Sequence, residues 1–349
     1  MPEELKNNTE ASKGQPSQLG KELSDIVDGN NKVREAETQI IISGTQAYQT
    51  AEKGRPELED PATGIVELHY TNSSGSEITL IGTHHVSDMA DPEVQYLGDK
   101  LQSISDKSSK VLILESQYGE EGGIPDNPED AFGEFAYMAA VGKQAGIEVI
   151  PGEPDPHDTA KKILVERPGI TRDEVALHYG LKTLVGVFRD SPTASLDAVA
   201  PYLHHSVGVA GDKSEGGWVE KSTTRDEVVR MSEQEKAIIV KEMPAIVDKL
   251  NAEFEKIKPG ERLLQLEPDG KLTLLYDLNK PPVLWDPSPE QSGGQPNVIT
   301  EISRMDMLMR DRHTFELTVH AIKRGKEPIV AVGSSHVSTL KPAFDAAYS

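Results

Sequence analysis

The sequence predicts an α/β fold: a mixed, largely parallel sheet flanked by helices, with a helical insertion. Three observations predict it. Apolar, β-branched runs alternate with segments of helical spacing between residues 61 and 155 and again after residue 296. Between them, residues 156–295 lose that alternation and read mainly as helices. Finally, the phrase G-x-x-H-V-S occurs twice, as Gly82-Thr83-His84-His85-Val86-Ser87 and as Gly333-Ser334-Ser335-His336-Val337-Ser338. Each copy follows a strand-like run, Ile78-Thr79-Leu80-Ile81 or Ile329-Val330-Ala331-Val332. Both phrases therefore leave strands at their carboxyl ends, where open α/β sheets build their sites.

Composition narrows the field. The 349 residues suffice for one large domain or two ordinary ones, and 36% hydrophobic content leaves room for an unpacked portion. The net charge of -22 argues against nucleic acid and anionic membranes as partners, because both need basic patches. With no cysteine, any metal needs His, Asp or Glu ligands. The sequence has no signal-like segment and no apolar run of transmembrane length, so the expected location is the cytoplasm.

Residues 1–60 read as a polar tail, interrupted by the strand-like Gln39-Ile40-Ile41-Ile42. A hairpin follows, with Ile65 to Tyr70 and Glu77 to Ile81 around Asn72-Ser73-Ser74-Gly75. His69 lies within it as a structural residue. Asp91-Pro92 caps a helix whose stripe is Val94, Leu97, Leu101 and Ile104. Lys110 to Glu115 is a strand ending in a carboxylate, residues 119–130 a loop, residues 131–145 a helix, and Glu148 to Ile150 a strand leading into Pro151-Gly152-Glu153.

The insertion, 156–295, holds a long charged stretch near 224–258 that Pro244 should interrupt, and a hairpin turning at Pro268-Asp269-Gly270 before Leu272 to Tyr276. It offers a lid or a surface for homo-oligomerisation. Its His204-His205 pair reads as solvated, since neighbouring helix positions diverge, and His178 has no convincing setting. After a loop at 286–297, residues 300–324 form a helix with Ile302, Met305, Leu308, Met309, Phe315, Val319 and Ile322 as its stripe. The last strand, the second phrase and a short helix from Lys341 complete the chain.

Four groups stand at or just past strand ends: His85, Glu115, Glu153 and His336. Buried carboxylates are costly unless paired or ligating. Two histidines and a carboxylate, here His85, Glu115 and His336, form a familiar divalent-metal ligand set (Mn, Co or Zn) that would activate water. Glu153 would then move protons. The same groups also work without metal, with a histidine as base and a carboxylate orienting it. His84 is the second-choice histidine.

The phrase at 82–87, the strand Val111-Leu112-Ile113-Leu114-Glu115, the run Arg310-Asp311-Arg312 and the phrase from Gly333 to His336 resemble, in order and approximate spacing, the TraB/GumN/Tiki superfamily, with the erythromycin esterases as relatives. The resemblance covers residues 61–155 and 296–349. It implies a mixed-sheet core and a site of His85, Glu115, Arg310 and His336. Members include metalloprotease-like proteins, esterases and haem binders. The helical wheel instead puts Arg312 in the apolar stripe and Arg310 on the polar face; the motif favours Arg310. The resulting expectation is a hydrolase of a small-molecule or peptide substrate, assisted by a divalent metal, cleaving a peptide, ester or amide. The alternatives are a metal- or haem-binding module without turnover, although 5% aromatic residues make a stacked haem pocket the weaker case, and a scaffold of paired helices.

Overall fold

The computed structural model describes residues 65–348 except 73–74, 85, 87–90, 117–123, 132, 189–190 and 279–296. The expected tail, its Gln39–Ile42 strand and His85 lie outside the described residues.

The hairpin forms as β1 (Val66–Thr71) antiparallel to β2 (Glu77–Thr83), with Val66 opposite Gly82 and Thr71 opposite Glu77. Gly75 supplies the turn's left-handed residue, at φ 86°. α1 (Pro92–Ser103) starts where Asp91 accepts the Glu93 N–H, and β3 (Lys110–Leu114) follows. α2 (Glu134–Ala145) ends at Gly146 in the left-handed conformation, then β4 (Glu148–Pro151) runs beside β3. Near the carboxyl end of the chain come the 26-residue α8 (Val298–Lys323), β8 (Glu327–Gly333) and α9 (Ser334–Tyr348).

These strands form one sheet in the order β1-β2-β8-β3-β4, parallel except at the β1 edge. Strand pleat splits its apolar residues between two layers. Leu80, Ile113 and Val330 face Phe315, Leu317, Leu340 and Phe344 from α8 and α9. Ile81, Leu112 and Ala331 face Leu97, Leu101, Met138 and Val141 from α1 and α2. The fold is thus α/β with helices on both faces. Truncating a fully buried residue such as Leu80 to alanine costs about 2–5 kcal/mol.

The repeated phrase acquires a spatial meaning here. β2 and β8 are adjacent and parallel, with Gly82 opposite Val332 and Thr83 opposite Gly333. A Cβ on Gly82 would stand 2.7 Å from a Val337 methyl and 3.0 Å from the Ser334 Cα. The first phrase's glycine is therefore the space into which the second phrase's helix packs.

Between β4 and α8 the chain builds a helical unit of α3 (Pro156–Glu166), α4 (Arg172–Val187), α5 (Leu196–Gly208), α6 (Arg225–Arg230) and α7 (Glu233–Ile257). A small antiparallel sheet, β5 (Thr193–Ser195), β6 (Leu264–Leu266) and β7 (Lys271–Leu274), flanks it in the order β5-β7-β6. Three expectations change. Pro244 does not interrupt α7, which runs unbroken from Glu233 to Ile257 because Met243, Ile246, Val247, Leu250 and Phe254 are all buried along it. α9 starts at Ser334, seven residues before Lys341, because Val337 and Leu340 pack on the sheet in register with Ala343 and Phe344. His204 is buried rather than solvated, and its half-buried neighbour His205 contacts the Thr223 carbonyl at 2.6 Å. Among the described residues no helix is long and apolar enough to cross a membrane.

The helical unit also contains an uncompensated polar group. His178 is fully buried, and neither ring nitrogen has a hydrogen-bond partner. Burial holds its pKa down, to about 3, so folding favours the neutral ring. The unfolded chain binds a proton near pH 6.5 and the folded chain does not, so stability falls as pH drops from 6.5 toward 3. Urea unfolding should show this histidine adding a slope approaching about 1.4 kcal/mol per pH unit over that window. His178→Phe should abolish that increment; an unchanged slope would show that the ring is not buried neutral.

Candidate active site

All four parallel strands of the main sheet end on one side, and the site is assembled there. β3 delivers Glu115: its N–H continues the ladder to the Ala331 carbonyl at 2.8 Å. β4 delivers Glu153 through Pro151-Gly152. The Gly152 N–H bonds the Leu114 carbonyl at 2.6 Å, and the Thr314 hydroxyl donates to the Gly152 carbonyl at 3.1 Å. A Cβ on Gly152 would lie 2.5 Å from the Leu114 oxygen, so only glycine fits this approach. β8 delivers the Gly333 N–H, and the first turn of α9 delivers His336.

Arg310, from the middle of α8, closes the cluster. Its Nη2 donates to Oε1 of both Glu115 and Glu153. The other Glu115 oxygen accepts the Gly333 N–H at 2.5 Å. Glu115 Oε1 also faces His336 Nε2 at 3.2 Å, and the opposite ring nitrogen, Nδ1, bonds Asp311. The Thr339 hydroxyl donates to the second Asp311 oxygen at 2.6 Å. The connected chain therefore runs Glu153–Arg310–Glu115–His336–Asp311–Thr339. Its side chains are largely shielded from solvent, with exposures of 24% at Glu153, 18% at Arg310 and 9% at Glu115.

The electrostatics follow from this wiring. Burial alone would push the His336 pKa down, but Glu115 and Asp311 outweigh it and lift it to about 10. The ring is then an imidazolium, with both N–H groups donating to carboxylates. Its charge depends on those carboxylates, since a cation in the first turn of a helix is opposed by the helix dipole. Burial also opposes charge on Arg310, yet Glu153 and then Glu115 hold its pKa above the ordinary arginine value. Arg310 Nε is buried without a hydrogen-bond partner.

Of the five residues read from sequence, the fold brings Glu115, Glu153, Arg310 and His336 together. His85 lies outside the described residues. His84 turns to Glu93, which accepts its backbone N–H at 2.9 Å and lies 3.1 Å from its ring nitrogen. The wheel's choice of Arg312 is overturned: that side chain is 41% exposed and pairs with Glu316 one turn on. Asp311 and Thr339 were missed as site residues. The adjacent Arg-Asp pair and the Thr three positions after His336 were the available signals, and neither states a direction in space.

Of the ligand set His85, Glu115 and His336, the two described members already hold protein partners: Glu115 holds Arg310 and Gly333, and His336 holds Glu115 and Asp311. The Arg310 guanidinium already stands between the two glutamates. Among the described residues no group of three His, Asp or Glu side chains is placed to hold a metal ion. No family model, curated protein or solved structure matches the chain.

Two measurements check this wiring. Arg310→Met leaves two largely desolvated carboxylates facing each other and should cost about 3–5 kcal/mol in urea unfolding, whereas half-exposed Arg312→Met should cost under about 0.5 kcal/mol. The ring resonances of His336, assigned by their loss in His336→Gln, should titrate near pH 10. Because the folded value lies above the unfolded one, the histidine's stabilisation is complete below about pH 6.5 and is lost as pH rises toward 10. A His336 titration near 6.5 would contradict the double pairing.

Proposed function

We propose that the protein is a hydrolase that cleaves a peptide, ester or amide bond by acid–base chemistry at the carboxyl ends of β2, β8, β3 and β4. The observation that carries this reading is the buried chain from Glu153 through Arg310, Glu115 and His336 to Asp311. The resemblance to the TraB/GumN/Tiki superfamily, with its paired phrase, strand-end glutamate and arginine, points the same way.

In this reading the residues take distinct roles. Glu115 accepts from Arg310, from His336 and from Gly333, so it is an anchor and not a base. Glu153 spends one oxygen on Arg310 and is the more exposed glutamate, and in this reading it takes a proton from the attacking water and returns it to the leaving amine or alcohol as the C–N or C–O bond breaks. His85 shares that task in this reading, as the resemblance implies. Arg310 places a fixed positive charge in a poorly solvated site, where the oxyanion of an attacked carbonyl would form. His336, 3.2 Å from Glu115, helps to keep that carboxylate in place. None of these steps needs a metal.

The test is turnover of a panel of chromogenic esters and fluorogenic peptides by wild type and variants. Activity should survive a strong chelator. Glu153→Gln and Arg310→Lys should each lower kcat by about 10²–10³-fold, with melting temperature monitored alongside, and Arg312→Lys should change it less than about twofold. Full turnover in both site variants would sink the proposal, and loss of activity on chelation would restore the metal reading.

A further inference from the structure

The helical unit reaches the site through a second polar cluster that the roles above do not use. Asp306 lies one turn before Arg310 on α8, so the two share a face of that helix. It is nearly fully buried, and both of its oxygens are taken by α4: the Tyr179 hydroxyl donates to one at 2.9 Å and the Lys182 ammonium to the other at 2.9 Å. Tyr179 and Lys182 are three residues apart and stand together on the α4 surface, with the ammonium also 5.6 Å from the Tyr179 ring centroid. Such a doubly held carboxylate is fixed in both position and orientation.

We propose that Asp306 is a positioning residue for Arg310, and that Tyr179 and Lys182 make its position depend on the seating of the helical unit. This deepens the hydrolase reading and rests on it for its catalytic meaning. Arg310 has Glu115 and Glu153 on the strand-end side and Asp306 behind it along the helix. Opposed attractions of this kind hold a guanidinium at one depth, where a single-sided pair would let it swing with either glutamate. Electrostatics agree with the geometry. Burial pushes the Asp306 carboxyl up, but Lys182 and then Arg310 outweigh it and hold it well below the usual carboxylate range. Burial and Asp306 raise the Tyr179 hydroxyl, and the charges of Arg310 and Glu153 also act on it, so α4 lies within electrostatic reach of the site. On this reading the helical unit is a constituent of the site and not a detachable cover.

The experiment needs no substrate, so its failure is distinct from failure of the hydrolase reading. Full-length protein labelled with ¹⁵N-arginine gives an Nε–H signal for each arginine, and Arg310 is assigned by the signal lost in Arg310→Lys. The buried Arg310 Nε–H should exchange slowly with solvent. Asp306→Asn should shift this signal and speed its exchange by about tenfold or more relative to backbone amides of β8, which report global opening. Tyr179→Phe removes one hydroxyl and should move the signal in the same direction by a smaller factor; it carries the test if Asp306→Asn fails to fold. Lys162→Ala, on neighbouring α3, should leave it unchanged. An Arg310 signal with wild-type shift and exchange ratio in the Asp306 or Tyr179 variant would overturn the proposal.

Discussion

The cluster depends on one ion-paired contact: the Arg310 guanidinium wedged between carboxylates from two different strands. Glu115 and Glu153 leave adjacent parallel strands in the same direction, and without a cation between them their charges repel in a poorly solvated place. Burying them costs desolvation that only good geometry offsets. The structure supplies that geometry redundantly. A ladder bond to Ala331 fixes the Glu115 backbone, the Gly152 and Glu153 N–H groups tie the other strand end to Leu114 and Ser116, Gly333 fixes one Glu115 oxygen, and His336 adds a second cation whose own charge requires Asp311. Each member touches the next, and removal of Arg310 in particular leaves Glu115 and Glu153 facing each other without the cation that joins them, so the members are energetically coupled.

That unit exists because two strands distant in sequence are neighbours in space. β2 and β8 pair in parallel, and Gly82 leaves the space for Ser334 and Val337. The glycine of the repeated phrase thus does different work in its two copies. At 82 it admits a helix, whereas at 333 it presents an N–H to Glu115. Similar words in a sequence do not imply similar duties, even when they meet at one place.

Much of this was legible in the sequence, and the reasons for the rest are physical. Apolar runs gave the strands because the sheet is buried on both faces, and the strand-end positions of Glu115, Glu153 and His336 followed from them. Partners across space were not legible. Nothing local says that Asp311 turns to His336, that Asp306 belongs to Tyr179 and Lys182, or that His178 is enclosed without a partner. Local rules also misread Pro244, where packing of Met243 and Ile246 outweighs the proline, and the start of α9, where packing of Val337 and Leu340 extends the helix back to Ser334.

The misplacement of Arg312 has a more instructive cause. A helical wheel assumes one apolar face per helix, yet α8 serves two cores. Its first turns bury Ile299, Ile302 and Met305 in the helical unit; its later turns bury Phe315, Leu317 and Ala321 against the sheet. The direction of burial changes along the helix, so a stripe averaged over 26 residues points toward neither core at its middle. The middle is where Asp306, Arg310 and Asp311 lie, polar residues turned inward at the seam between two apolar regions. A long helix whose apolar face changes direction midway therefore marks a junction, and buried charges at that change of face are the residues to examine first for chemistry.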